Sequence, residues 1–144
     1  MTGATHASIG AALGAIIRRP ALAFLAGVFY HLAADAVPHR DIPAVLDIAI
    51  LMPTLAYIAK RHGAGSPQFL GALGGVAPDL EHALVKLGVI RLSDEVFPTH
   101  VEDGRWHGRD SGERIGQLLT FAAGLLVAEM SSGCSCCRTG SERR

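Results

Sequence analysis

Charged residues and cysteines are scarce in this sequence, and their scarcity excludes several classes of protein. Asp, Glu, Lys and Arg together make up 18% of the 144 residues, below the roughly 25% that is typical of soluble domains. The formal net charge is zero, so nothing indicates a nucleic-acid-binding protein. Cys134, Cys136 and Cys137 all lie close to the C-terminal end, so they cannot form a disulfide framework for the domain.

Long apolar runs are also absent. A membrane-spanning helix needs about twenty consecutive apolar residues, and the four longest runs here reach only about fifteen to eighteen. On the other hand, 49% of the residues are hydrophobic and 17 are glycine, and small residues let membrane helices approach closely. Two interpretations remain: a small membrane-embedded bundle, which the composition favours, or a soluble or surface-bound helical domain with an alanine-rich core.

The apolar runs predict an all-α fold of about five short helices, forming one domain over residues 1–130. We place these helices at residues 7–17, 21–37, 42–59, 68–89 and 115–130. The fourth should be broken near residues 74–78, because Gly74 and Gly75 precede Pro78 and proline suits the start of a fresh helix. Residues 91–114 are expected to form a polar lid loop. The Cys- and Arg-containing segment 131–144 is expected to be a disordered tail.

The densest group of ionisable residues lies at the end of the second apolar run. His31 and Asp35 are one helical turn apart and share a face. Pro38 disfavours helical geometry in the residue before it, so His39 and Asp41 should lie on the turn beyond the helix. Two imidazoles and a carboxylate converging in this way are typical of a divalent-metal site. The alternative is a helix that ends in polar residues, with His39 and Asp41 in solvent.

A second group of the same residue types follows the expected break in the fourth helix. Asp79 and His82 are three residues apart and share a helix face, with Glu81 between them. Helix-start electrostatics would also explain the two carboxylates. Two such groups on neighbouring helices would allow a site for one or two metal ions. Three further histidines outside the two groups could add ligands or could be plain exposed residues: His6, His100 and His107.

Four elements of the sequence carry a resemblance to a known family. They are Thr5-His6, His31-x3-Asp35-x2-Pro38-His39-Arg40-Asp41, Gly75-x2-Pro78-Asp79-x2-His82, and Thr99-His100 with Trp106-His107. Over roughly residues 4–130 this pattern resembles the bacterial membrane-bound metal-dependent hydrolases of the LexA-regulated inner-membrane type, which are distantly similar to zinc-dependent phospholipase C. The pattern departs from the family at Leu80-Glu81, where a second Asp often follows the first.

The resemblance implies a metal-dependent hydrolase integral to the bacterial inner membrane. The metal would be zinc, as one or two ions, and the ligand candidates would be His31, Asp35, His39, Asp79 and His82, followed by His6, His100 and His107. A metal-activated water would attack an ester or phosphoester carried by a membrane lipid. Glu81 or Asp41 would act as general base or would orient a ligand imidazole.

Two alternatives to this function remain open. One is a non-catalytic membrane protein in which the His/Asp groups bind metal structurally, hold helices together, or carry protons or ions. The other is a soluble helical metal-binding module. An open coordination position would distinguish a catalytic from a structural site. A homo-oligomer is also compatible with a bundle of such short helices, because a second copy would bury its polar faces.

Overall fold

A computed structural model describes residues 1–39, 42–91, 96–97 and 115–130. It contains five α-helices and no strand in those residues, which confirms the all-α prediction. The helices are α1 (Gly3–Ile17), α2 (Pro20–Asp35), α3 (Ala44–His62), α4 (Pro67–Lys86) and α5 (Ile115–Met130). Several predictions fall outside the described residues: Asp41, His100, His107, most of the lid segment 91–114 and the tail 131–144.

Helix α1 is the central element and packs against all four other helices. It can do so because most of its buried residues are glycine, alanine and serine. The helix begins at Gly3, four residues earlier than the sequence indicates, and its N-cap Thr2 accepts a hydrogen bond from the backbone N–H of Thr5. The earlier start matters for function because it places His6 within the first turns of a buried helix.

A carboxylate from α3 completes the N-terminus of α1. Asp47 accepts a hydrogen bond from the backbone N–H of Gly3, with its two oxygens at 2.9 and 3.1 Å from that nitrogen. A negative charge at a helix N-terminus is favoured by the helix dipole. Asp47 is the only charged residue in the first part of the third apolar run, and this contact with α1 accounts for its presence there.

Helix α4 packs on α1 and α2 with its backbone close to theirs, and glycine makes this approach possible. A Cβ at Gly71 would collide with the carbonyl oxygen of Gly10, and a Cβ at Gly74 would collide with that of Phe24. A Cβ at Gly75 would collide with the carbonyl oxygen of His6. These glycines therefore set the spacing between α4 and the two helices that carry the candidate site.

The predicted break in the fourth helix is wrong, because α4 runs continuously from Pro67 to Lys86 with Pro78 inside it. Pro78 cannot donate the usual hydrogen bond to the carbonyl four residues before it. Its side chain is fully buried, and tertiary packing of this kind commonly overrides a local helix-breaking preference. Asp79 and Glu81 consequently lie inside a helix, so helix-start electrostatics does not account for them.

The interior of the bundle contains small and polar side chains, whereas large apolar side chains lie outside. Buried Ala7, Ala11 and Ala72 form part of the core, and polar residues including Thr5, His6, Ser8, His31 and Asp35 are buried with them. Most of the exposed large apolar residues of the helices lie on α2, α3 and α5, among them Leu22, Leu25 and Phe29 of α2, Val45, Ile48 and Met52 of α3, and Leu118, Leu119, Leu126 and Met130 of α5. None of the helices in the described ranges combines the length and the apolar character that crossing a membrane requires.

Candidate metal centre

His6 of α1 and His31 and Asp35 of α2 meet in the interior of the bundle. Both histidine side chains are fully buried, and Asp35 is 1% exposed. One Asp35 oxygen, Oδ1, lies 3.1 Å from His6 Nε2, and the other, Oδ2, lies 3.1 Å from His31 Nε2. The two imidazole rings lie face to face, with centroids 4.0 Å apart and planes inclined by 31°. A single carboxylate thus joins two stacked imidazoles.

The backbone of α4 fixes the orientation of His31. His31 Nδ1 lies 2.8 Å from the carbonyl oxygen of Gly75. Because a carbonyl oxygen can only accept, Nδ1 carries the proton and donates, which leaves Nε2 to face the carboxylates. Metal-ligating histidines usually have one ring N–H held in this way by a carbonyl or carboxylate.

Asp79 of α4 brings a third helix to the same place. Its Oδ1 lies 3.7 Å from His31 Nε2. One potential ligand atom from each of His6, His31 and Asp79 lies within 4.8 Å of the others, a spacing that could accommodate a metal ion. The Asp79 side chain is 31% exposed, so the group is buried on its histidine side and open to the surface on its Asp79 side.

The electrostatics of the group follow from burial and from these contacts. Burial is the largest influence on His6 and lowers its pKa below 6.5, although the hydrogen bond to Asp35 opposes this. Burial also acts to lower the pKa of His31, but the hydrogen bond to Asp35 and the charge of Asp79 together raise it above 6.5. For Asp35, burial opposes ionisation, yet hydrogen bonds from both histidines hold its pKa far below the usual range. The carboxylate therefore stays ionised in the interior, and His31 is the more basic imidazole.

The remaining predicted ligands in the described residues are His39 and His82. His39 is buried just after α2, and its Nδ1 donates a hydrogen bond to the carbonyl oxygen of Val37 at 2.7 Å, the same arrangement as in His31. His82 lies on α4 one turn beyond Asp79, with its Nδ1 atom buried. Neither belongs to the group formed by His6, His31 and Asp79, so their roles as ligands stay predictions.

Glu81 has a different environment from the one expected of a general base. Its Oε1 accepts a hydrogen bond from the backbone N–H of Val96 and its Oε2 one from Phe97, both at 2.9 Å. Two backbone donors on one carboxylate indicate a residue that anchors the chain after α4. The catalytic role of Glu81 stays a prediction, as does that of Asp41.

Two features of this centre join residues that are far apart in the sequence. His6 joins Asp35 although the two residues are 29 positions apart, and only the Thr5-His6 element pointed to it. Gly75 supplies the carbonyl that orients His31. The sequence around Gly75 does not indicate this contact, since Gly74 and Gly75 before Pro78 favour a helix break instead.

Comparisons with protein-family models, with curated proteins and with solved structures give no match to this chain. The residues of the chain and the geometry of this centre are therefore the basis for assigning a function.

Proposed function

We propose that this protein binds a divalent metal, zinc in the first instance, between α1, α2 and α4. His6, His31 and Asp79 would hold the ion, with Asp35 as a further ligand or as the residue that orients both imidazoles. The observation that carries the proposal is the convergence of two fully buried imidazoles with two carboxylates. Imidazole and carboxylate donors from three helices match the ligand chemistry of zinc.

The surroundings of the two imidazoles fit a bound cation. His6 Nδ1 is buried and has no hydrogen-bond partner among the described residues, as expected for a side chain that has one more partner to bind. His31 Nε2 lies close to the carboxylates of both Asp35 and Asp79, so in the metal-free protein a proton on this nitrogen offsets part of their charge. A metal ion would replace that proton. Buried carboxylates are costly unless such a positive charge accompanies them.

We further propose that the centre is hydrolytic. A metal held there would polarise an ester or phosphoester and lower the pKa of a water molecule. The protein residues would hold and orient the site: the Gly75 carbonyl fixes the His31 ring, and Asp35 fixes both imidazoles. Asp79 lies on the exposed side of the centre. The resemblance to LexA-regulated membrane-bound hydrolases supports the same reaction class. A second ion would need His39 or His82, or residues outside the described ranges.

We also propose that the protein acts at a membrane surface. Its exposed apolar side chains along α2, α3 and α5 would be unfavourable in water, and lipid is the partner that would cover them over such an extent. The location in the bacterial inner membrane comes from the family resemblance. Fractionation of cell lysate in buffer without carbonate tests the proposal: recovery of the protein with the membrane pellet is expected, whereas recovery wholly in the soluble fraction would contradict it.

Elemental analysis tests the metal proposal. Wild-type protein purified in mild detergent is expected to contain about one equivalent of zinc or another transition metal, and His31→Ala is expected to contain almost none. His62→Ala is the matched control, because His62 lies at the end of α3 against Glu129, with 3.2 Å between Nε2 and Oε1. Retention of metal by His31→Ala would contradict the proposed site.

A non-catalytic role is the second candidate, and one observation favours it. Asp35 and His31 lie on α2, and Asp35 links His31 to His6 of α1 without a metal. Such a network could serve to hold helices together. In that case the wild-type protein would stay folded and helical without taking up metal when metal is offered.

A further inference from the structure

Two cavities lie side by side between the start of α1 and the start of α5. The larger, about 260 Å³, is lined by Ile42, Ile50, Leu118 and Phe121, with Thr2 and Thr5 on the α1 side. The smaller, about 220 Å³, is lined by residues that include Ala34, Val37, His39 and Thr120. Gln117 lines both cavities, and its Oε1 accepts a hydrogen bond from the backbone N–H of Thr2 at 3.3 Å.

The smaller cavity lies beside the candidate metal centre, because Met1 lines it and the Met1 backbone nitrogen lies 3.7 Å from Asp35 Oδ1. Residues of both cavities also adjoin the centre along the chain. Thr5, in the wall of the larger cavity, directly precedes His6, and Ala34, in the wall of the smaller one, directly precedes Asp35. The smaller cavity also contains the His39 imidazole, whose Nδ1 proton is engaged by the Val37 carbonyl. The pair of cavities thus offers an apolar compartment and a compartment with an imidazole, separated by one glutamine side chain.

The chemistry of the larger cavity favours a hydrocarbon. Four large apolar side chains line it, and ligand sites that are mainly apolar with a few polar groups take apolar ligands oriented by those groups. The cavity opens to the surface, since Leu118 in its wall is 66% exposed, and covering such an apolar wall with hydrocarbon is favourable. A ligand that filled both compartments would have an apolar chain on one side of Gln117 and a polar group near His39.

We propose that the larger cavity binds the hydrocarbon chain of an amphiphilic ester or phosphoester, whose polar end occupies the smaller cavity beside His39. This proposal rests on the proposed function, because it assigns a substrate class to the same centre. In this proposal, Leu118, Ile50 and Phe121 contact the hydrocarbon chain of the substrate. Gln117 lies between the chain and the polar group.

Binding of n-alkyl phosphates tests the proposal with a pair of neighbouring leucines. Leu118 is 66% exposed and lines the cavity; Leu119 is 65% exposed, on the same helix, and does not line it. Affinities for butyl, hexyl, octyl and decyl phosphate would be measured by calorimetry on wild-type protein, Leu118→Trp and Leu119→Trp in one amphipol preparation. Each added methylene is expected to strengthen binding about fourfold until the cavity is full.

The two leucine variants distinguish binding in the cavity from unspecific adsorption of the alkyl phosphate to exposed apolar side chains. Leu118→Trp is expected to weaken decyl phosphate binding about tenfold or more and to leave butyl phosphate little changed, whereas Leu119→Trp should match the wild type. A second pair follows the same design: Ile50 lines the cavity and Ile48 does not, so Ile50→Trp is compared with Ile48→Trp. Circular dichroism would verify that all variants are folded. Equal affinities within both pairs, or no dependence on chain length, would overturn the proposal.

Metal analysis of the same samples distinguishes the two proposals. If wild-type protein holds metal but Leu118→Trp and Ile50→Trp bind decyl phosphate like their controls, the cavity assignment fails and the proposed metal centre stands. If the wild type holds no metal and the dependence on chain length and on Leu118 persists, the hydrocarbon site stands and the proposed function fails.

Discussion

His31 Nδ1 donates a 2.8 Å hydrogen bond to the carbonyl oxygen of Gly75, so the α4 backbone sets the tautomer and the direction of an α2 imidazole. The same glycine approaches the α1 backbone so closely that a Cβ would collide with the carbonyl oxygen of His6. One residue of α4 therefore governs the positions of both imidazoles in the candidate centre, directly for His31 and through helix spacing for His6.

Gly75→Ala is expected to damage both stability and metal binding. The added methyl group would force α4 away from α1, and overpacking of this kind typically costs about 1–3 kcal/mol. Denaturant unfolding would measure the loss of stability, and elemental analysis the loss of metal. Gly65→Ala is the matched control, because no heavy atom lies within 4 Å of a Cβ placed at Gly65. Equal stabilities of the two variants would show that the close approach of α4 to α1 is not required.

Asp35→Asn is expected to weaken metal binding about 10- to 100-fold, the usual range for losing a carboxylate that orients ligand histidines. Asparagine keeps the shape of the side chain but removes the charge that holds His6 and His31. Competition with a chromogenic zinc chelator would give the affinity. Glu129→Gln makes the same chemical change at a carboxylate that binds Tyr57 and Arg61 instead, and it should retain wild-type affinity. An unchanged affinity in Asp35→Asn would remove Asp35 from the centre.

The combined contribution of His6 and His31 to the stability of the metal-free protein is expected to be greatest near pH 6.5. The pKa of His31 is raised above 6.5 in the folded state, so its contribution is complete below pH 6.5 and is lost as the pH rises through the raised value. The pKa of His6 is lowered below 6.5, so its contribution is complete above pH 6.5 and is lost as the pH falls through the lowered value. The charges of Asp35 and Asp79 act on both histidines, and that of His31 also acts on His6.

Denaturant unfolding in the presence of a chelator, from pH 5 to pH 8.5, would measure this profile. His31→Asn should flatten the alkaline side and His6→Asn the acidic side. Asp35 adds little slope in this range, because its contribution is lost only below its ordinary pKa of 3.8. A wild-type stability that rises steadily up to pH 8.5 would contradict the raised pKa of His31.

Glu81→Ala is expected to leave metal content unchanged and to loosen the chain after α4. The variant loses the two 2.9 Å hydrogen bonds to the backbone of Val96 and Phe97, so local opening becomes easier. Limited trypsin digestion, with cleavage at Arg91 as the readout, should be faster than in the wild type. Glu129→Ala, at a carboxylate that binds α3 side chains, serves as the control. Loss of metal in Glu81→Ala would instead place Glu81 at the centre.

The sequence by itself determined the helices and the local part of the candidate centre. Helix α2 begins at Pro20, one residue before the predicted start, and ends at Asp35, two residues before the predicted end and shortly before Pro38. The interaction of His31 with Asp35 follows directly from their i, i+4 spacing on one helix. Such features depend on a few neighbouring residues and on fixed backbone geometry, so they can be inferred without knowledge of the rest of the chain.

The tertiary structure alone decided how the centre is assembled. A glycine in a sequence does not reveal whether the backbone bends there or another backbone approaches it. At Gly74 and Gly75, the backbones of α2 and α1 approach closely. Likewise, the sequence could not select Asp79 over Glu81 as the carboxylate facing His31, nor bring His6 to Asp35. These outcomes depend on the packing of α1, α2 and α4, because contacts between residues far apart in sequence form only when the helices are docked.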